Sequence, residues 1–239
     1  MKISILIPVF NEEKTIEKVL KNVNLVLSNN YPNKFEIIVI NDGSNDNSEN
    51  ILLNNKSLYS DLITVKNNSG KGNALKLGIA KTSGEIIIIQ DADLEYDPRE
   101  YPKLIKPFLD LNADVVYGSR FKSSETNRVL FFWHSLANKL ITFSSNVFSN
   151  LNLTDVETGY KAFKKETLKD LNLEEKSFGI EIELTHKIAN QKIKPKFFEV
   201  GISYNGRTYE EGKKIGLKDA FRAIFCILKY GFINKFFIK

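Results

Sequence analysis

The chain has 239 residues, 42% of them hydrophobic and 26% charged, enough for one sizeable globular α/β domain or two small ones. Its single cysteine, Cys226, excludes an internal disulfide and any cysteine-built zinc site, and with only two histidines, His134 and His186, a histidine-rich metal centre is not expected. The net charge of +5 favours anionic partners such as nucleotide diphosphates or anionic lipid; with no nucleic-acid motif and no aromatic–basic repeat, nucleic acid is not an expected partner.

The first half alternates strand-like and helix-like segments. Ile3 to Val9 is an apolar run closed by Pro8 and Asn11. It reads as a first strand, too short and too soon broken for a signal peptide, so a cytoplasmic location is the expectation. Glu12 to Leu27 carries Ile16, Val19, Leu20, Val23 and Leu27 at helical spacing. Phe35 to Ile40 reads as a second strand, Ser48 to Leu53 as a short helix and Leu62 to Lys66 as a third strand. Gly70-Lys71-Gly72 opens a helix running through Ala80. Ile86-Ile87-Ile88-Ile89 is β-branched and apolar without alternation, the pattern of a strand buried on both faces. A helix over Tyr101 to Leu111 and a fifth strand over Asp114 to Tyr117 follow. Strand–helix alternation of this kind predicts a Rossmann-like, mostly parallel sheet with helices on both faces.

After Arg120 the pattern changes. Phe121 to Val129 is polar, Phe131 to Leu151 is helical, Thr154 to Phe163 is extended and Glu166 to Leu171 is a short helix. Ile180 to Ala189 reads as a helix, Pro195 to Tyr204 as a strand and Asn205 to Lys214 as a charged loop. Leu217 to Ile238 is a basic amphipathic helix with a break near Gly231. It lies either in the headgroup plane of an anionic membrane or against the core or a second subunit; its charges argue against a span. The expected organisation is one domain over residues 1–210, in halves 1–120 and 121–210, with a C-terminal amphipathic segment over 211–239.

Polar groups fall just after four of the predicted strands: Phe10-Asn11-Glu12, Asp42-Gly43-Ser44, Asp91-Ala92-Asp93 and Gly118-Ser119-Arg120. In a doubly wound sheet these ends converge on one edge, where such sheets bind ligands. An isolated Asp-x-Asp is usually a solvated turn; four polar ends on one edge reverse that weighting. Two hard oxygen ligands one residue apart suit Mg²⁺ or Mn²⁺ carrying phosphates. Gly70-Lys71-Gly72 lacks the spacing of a P-loop.

Ile7-Pro8-Val9-Phe10-Asn11-Glu12, Asn41-Asp42-Gly43-Ser44, Gly70-Lys71-Gly72-Asn73-Ala74, Asp91-Ala92-Asp93-Leu94, Gly118-Ser119-Arg120 and Thr154-Asp155-Val156-Glu157-Thr158-Gly159-Tyr160-Lys161 together resemble an inverting family 2 glycosyltransferase of the GT-A fold. Within that family the chain most resembles the polyprenyl-phosphate sugar transferases, including the dolichyl-phosphate mannose and glucose synthases. Gly206 to Gly212 extends the match.

The resemblance implies a nucleotide diphosphate sugar donor, of UDP-glucose or GDP-mannose type, held by Pro8, Phe10, Glu12, Asp42, Lys71 and Asp91. It implies Mg²⁺ or Mn²⁺ on Asp91 and Asp93, with Glu95 as a third ligand or a plain surface charge. Lys71 either reaches a phosphate or is solvated, and Arg120 either clamps a phosphate or forms a salt bridge at the sheet edge. Asp155 and Glu157 fall in the acceptor-side motif, one of them as general base for a hydroxyl or both as orienting groups for an already ionised lipid phosphate. Glu181 and Glu183 are further candidates, although charges on a helix face are more often solvated. Ser135, with His134 beside it, together with Arg207 and Lys213, stands where relatives bind the acceptor phosphate or close a mobile loop. The expected acceptor is a polyprenyl phosphate at a membrane surface, or a glycan hydroxyl, with a membrane-protein partner or a second copy as a possible associate. A nucleotidyltransferase, and a non-catalytic nucleotide-sugar-binding or scaffold module, are the more distant readings.

Overall fold

A computed structural model describes residues 1–122, 127–129, 131–208, 210–212 and 216–233. The strands are β1 (Ile3–Val9), β2 (Phe35–Asp42), β3 (Asp61–Val65), β4 (Ile86–Ile89), β5 (Val115–Ser119), β6 (Lys161–Lys164) and β7 (Phe197–Gly201). The helices are α1 (Ile16–Asn30), α2 (Ser48–Asn54), α3 (Lys71–Lys81), α4 (Tyr101–Asp110), α5 (Phe132–Ser149), α6 (Lys165–Leu168), α7 (Ile180–Ala189) and α8 (Leu217–Cys226). The described residues form one seven-stranded sheet in the order β3-β2-β1-β4-β6-β5-β7. β6 pairs antiparallel with both β4 and β5, and the other pairings are parallel.

Period-two geometry sends successive strand residues to opposite faces. Ile3, Ile5, Ile7, Ile86 and Ile88 therefore share a core with the apolar stripes of α1 and α4. Leu6, Ile87 and Ile89 share the other with residues of α3, α5, α7 and α8. This is why the run Ile86–Ile89 shows no alternation: both faces are covered, and all four side chains are buried. Each contributes about 1.5–3 kcal/mol by leaving water.

Two expectations need correction. The extended segment expected over 154–163 is strand only from Lys161. Before it the chain turns, because its polar side chains are drawn inward: Asp155 to Arg120, and the Lys161 ammonium back to the Val156 carbonyl (2.9 Å). The C-terminal helix is α-helical only to Cys226 and then widens into a π-helix over Ile227–Ile233. Within that wider turn Tyr230 is buried, and its hydroxyl donates to Glu175 (2.9 Å). No helix among the described residues is long and apolar enough to cross a membrane.

At the sheet edge opposite the polar strand ends, Glu36 accepts from Lys2 (2.6 Å) and from the Ser83 amide (2.6 Å). Burial works to raise its carboxyl, but these bonds, with those from the Ser4 and Ser83 hydroxyls, outweigh burial and hold it down at about 2 instead of 4.5. The sign follows from proton counting. Between those values the unfolded chain binds the proton and the folded chain does not, so the stabilisation is present above about 4.5 and lost as pH falls through about 2. Glu36→Gln is expected to flatten the rise of urea-unfolding stability across that window; an unchanged pH profile would contradict the assignment.

Candidate active site

The strand order changes direction between β1 and β4, the position at which open α/β sheets bind ligands beyond their carboxyl ends. β1 runs into Phe10-Asn11-Glu12, β2 ends at Asp42, β4 runs into Gln90-Asp91, and β5 into Arg120. These ends border a cavity of about 780 Å³, which Pro8, Phe10, Glu12, Asp42, Lys71, Asp91, Asp93, Glu95, Arg120, Glu157 and Arg207 all line. It is also lined by Trp133, His134, Ala137 and Asn138 of α5, Glu181 of α7 and Ala220 of α8.

Asp93 and Glu95 of the turn after β4 meet one guanidinium, and Glu12 joins them from the turn after β1. Arg207 Nη2 lies 2.9 Å from Asp93, Nη1 3.3 Å from Glu12, and Nε 3.4 Å from Glu95. Glu95 also accepts from the Arg207 amide (2.8 Å) and the Tyr204 hydroxyl (2.7 Å), fastening residues 204–207 across the turn. Burial, with the neighbouring charges of Asp91 and Glu95, pushes Asp93 up to about 7 against the pull of Arg207. Among the described residues no three His, Cys, Asp or Glu side chains stand ready-gathered as a metal cage. The donor chemistry nevertheless fits a hard divalent cation: oxygen ligands, clustered and short of positive charge.

Lys71 opens α3, and Asp91 and Glu181 meet it at 2.7 and 3.0 Å. Burial alone would lower the Lys71 ammonium; these two carboxylates outweigh it and hold the group above its ordinary value. Lys71 is therefore a charged, half-buried group at the cavity wall, paired with two carboxylates. Its position depends on close backbone approach. Gly70 has φ +95°, and a Cβ at Gly72 would sit 2.2 Å from the Glu175 carbonyl oxygen, so residues 175–176 pack directly on the start of α3. Glu181 continues to Lys161 (2.6 Å), which is fully buried. Glu181 and Glu183, on the helix face read as more often solvated, are also buried, because α7 is enclosed nearly all round. Glu183 accepts from the amides of Glu174 and Glu175 (2.7 Å each).

Asp42, expected at the nucleoside, lines the cavity and also holds a loop. One oxygen accepts from the Ser69 amide and hydroxyl, the other from the Gly70 amide and the Asn68 side chain, at 2.6–3.1 Å. All of its acceptor positions are spent on holding the loop before α3. Asp155 has both oxygens on the Arg120 guanidinium at 2.7 Å, and the Arg120 amide donates to it as well. It is fully buried and is paired with Arg120. Arg120 also lies 5.1 Å from the Tyr204 ring centroid. Glu157 is the carboxylate left over. Its Oε1 is buried without a hydrogen-bond partner, and burial and Glu181 push it up to about 7 despite Lys161 and Arg120. Ser135 does not line the cavity, whereas its helix neighbours His134, Ala137 and Asn138 do. Lys213 lies outside the described residues. Sequence reasoning missed Tyr204 and Gln90 and left Lys161 without a role; no charge or motif spacing marks the first two, and the lysine shows only by its burial.

The comparisons with known proteins agree with this geometry. The family described as Glycosyl transferase family 2 matches residues 4–171. An uncharacterized protein of Methanocaldococcus jannaschii is 32% identical over 199 residues, 79% of this chain and 81% of that one. The dolichol-phosphate mannosyltransferase of Pyrococcus furiosus is 27% identical over 219 residues, 90% of this chain but 61% of that longer protein. The UDP-N-acetylglucosamine–dolichyl-phosphate N-acetylglucosaminyltransferase of Methanococcus voltae is 28% identical over 187 residues, 71% of this chain and 72% of that one. In fold, the chain resembles the glucosyl-3-phosphoglycerate synthase of Mycobacterium tuberculosis solved with Mn²⁺ and UDP-glucose, at a TM-score of 0.73 and 20% identity, over 96% of this chain and 79% of that one. Sheet order, clustered strand ends and matched sequence lead to one conclusion: the chain is a glycosyltransferase of the GT-A fold and belongs to glycosyl transferase family 2.

Proposed function

We propose that the chain moves a sugar from a nucleotide diphosphate sugar to a polyprenyl phosphate at a membrane surface, with inversion. The observation that carries this reading is the joining of two surfaces by one cavity. At its inner end stand Lys71, Asp91, Asp93, Arg120 and Arg207. At its outer wall α5 contributes Trp133, 73% exposed, beside the exposed Phe132 and Phe143, and α8 contributes Ala220 beside the exposed Phe221 and Phe225. An apolar face of this size on a helix pair fits the acyl boundary of a bilayer, and an isoprenoid tail leaving the cavity would run along it. The named relatives that act on dolichyl phosphate support the acceptor class.

In this reading Pro8 and Phe10 wall the nucleoside, Glu12 and Lys71 reach its polar groups and diphosphate, and Asp91 and Asp93 hold Mg²⁺ or Mn²⁺, with Glu95 beside them. The bound cation would supply charge neutralisation for the departing diphosphate. Lys71 lies next to that position, already charged and fixed by Glu181. Arg120, held in plane by Asp155, presents its remaining donors to the acceptor phosphate. Arg207, once exchanged from the carboxylates, provides a second cationic contact. A phosphate oxygen is ionised near neutral pH and attacks without a strong base.

A second reading, the same donor chemistry with a glycan hydroxyl as acceptor, is favoured by one observation: Glu157 lines the cavity, and burial pushes its carboxyl up to about 7, the range of a general base. The two readings separate on the product. Incubation with labelled nucleotide sugars and polyprenyl phosphate should release nucleoside diphosphate in a cation-dependent manner and leave the label on lipid. Label transferred only in a parallel incubation that supplies a glycan acceptor supports the hydroxyl acceptor, and release of pyrophosphate overturns sugar transfer altogether.

A further inference from the structure

Gln90 is the last residue before the carboxylate turn and is completely buried. Its amide nitrogen donates to the main-chain carbonyls of Asp91 (3.0 Å) and Tyr96 (3.3 Å). Its amide oxygen accepts from the hydroxyls of Tyr101 (2.7 Å) and Tyr160 (2.6 Å). The orientation is forced: the two carbonyls can only accept, so the nitrogen must face them and the oxygen the hydroxyls. All four hydrogen-bonding positions of the side chain are used, and the two carbonyls it grips are the two ends of the turn that carries Asp91, Asp93 and Glu95.

That turn needs holding. Leu94 sits at φ +64°, a left-handed conformation that a branched side chain adopts only where its surroundings impose it. Asp91, Asp93 and Glu95 repel one another, and the turn's outer residue Tyr96 is itself stacked on Tyr160 at 4.8 Å and accepts from the Gly159 amide (2.8 Å). Gln90 thus links α4, through Tyr101, and the start of β6, through Tyr160, to both ends of the carboxylate turn.

We propose that Gln90 is a positioning residue: by donating from its amide nitrogen to the Asp91 and Tyr96 carbonyls it sets the carboxylates of the turn in the geometry that receives the cation and diphosphate. The inference rests on the cation reading given above. It is separable from a plain contribution to stability, because the two halves of the amide do different things. The oxygen satisfies buried hydroxyls, and only the nitrogen holds the turn.

The test is Mn²⁺ binding, followed by the electron paramagnetic resonance of free Mn²⁺ with UDP and in parallel with GDP, beside urea unfolding of the same proteins. Gln90→Met is expected to weaken Mn²⁺ binding about 10–100-fold, the usual cost of losing an outer-shell partner, and to lower stability. Gln90→Met combined with Tyr101→Phe and Tyr160→Phe removes the orphaned hydroxyls, so it should recover stability while Mn²⁺ binding stays weak. It also carries the test should the single variant not fold. Tyr101→Phe with Tyr160→Phe on the native Gln90 should lose stability but bind Mn²⁺ as the wild type does. Wild-type Mn²⁺ affinity in Gln90→Met, or recovery of affinity in step with stability in the triple variant, would overturn the positioning role and leave the cation reading standing. A wild-type protein that binds no Mn²⁺ with either nucleotide would overturn both.

Discussion

Asp93→Asn is expected to lower kcat/KM about 10²–10³-fold while leaving the folded protein at least as stable as the wild type above neutral pH. The two halves of this result have one cause. Asp93 is enclosed with Asp91 and Glu95, and its carboxyl is pushed from 3.8 up to about 7. A raised acid is one whose neutral form the fold prefers. Between those values the folded chain holds a proton that the unfolded chain has released, so stability falls as pH rises through the window. Asparagine has the shape of the neutral form and never carries the charge, so the loss is avoided. What it cannot supply is the anionic oxygen that the proposed cation site requires. Transfer kinetics and urea unfolding at pH 8 on the same variant check both halves. Loss of activity together with loss of stability would mean that Asp93 serves the fold, and full turnover would remove it from the cation site.

Asp155→Ala is expected to cost about 3–5 kcal/mol of stability, the largest effect of any single substitution at the site. Arg120 makes two 2.7 Å bonds to Asp155 and is 17% exposed at its side chain, so deleting the carboxylate leaves a nearly buried guanidinium without its partner. The Tyr204 ring beside it cannot replace the charge. Replacing both members by apolar residues of similar volume should recover most of the loss, because what costs is the unpaired charge and not the absence of the pair. Chemical denaturation of the two variants measures this. A cost below about 1 kcal/mol for Asp155→Ala would place the pair among exposed bridges of little weight.

The donor half of the site was legible because strand pattern and strand ends carry the same message. Ile86–Ile89, buried on both faces, requires helices on both sides of a parallel sheet, and a parallel sheet brings Glu12, Asp91 and Arg120 to one edge. The roles of individual side chains were less legible, since a carboxylate in sequence does not say whether its oxygens face a ligand or a neighbouring amide. Asp42 bonds to residues 68–70 and Asp155 to Arg120, while Glu157, two residues further on, lines the cavity. Glu181 and Glu183 read as a charged helix face, because Lys71 and Lys161 reach Glu181 from α3 and β6 and Lys187 reaches Glu183 from one turn further along α7. Gln90 gave no signal at all: a neutral amide closing an isoleucine strand acquires its meaning only when Tyr101 and Tyr160 arrive from elsewhere in the chain.

The most direct test of lipid-linked sugar transfer is to incubate the protein and a divalent cation with sugar-labelled UDP-glucose or GDP-mannose and a polyprenyl phosphate, then partition the products between organic solvent and water. Label that moves into the organic phase, returns to water on mild acid hydrolysis, and stays in water when Asp93→Asn replaces the wild type is the predicted result. Label that never becomes organic-extractable with either nucleotide sugar, while a parallel incubation with a glycan acceptor moves the labelled sugar onto the glycan and releases nucleoside diphosphate to solution, would contradict it.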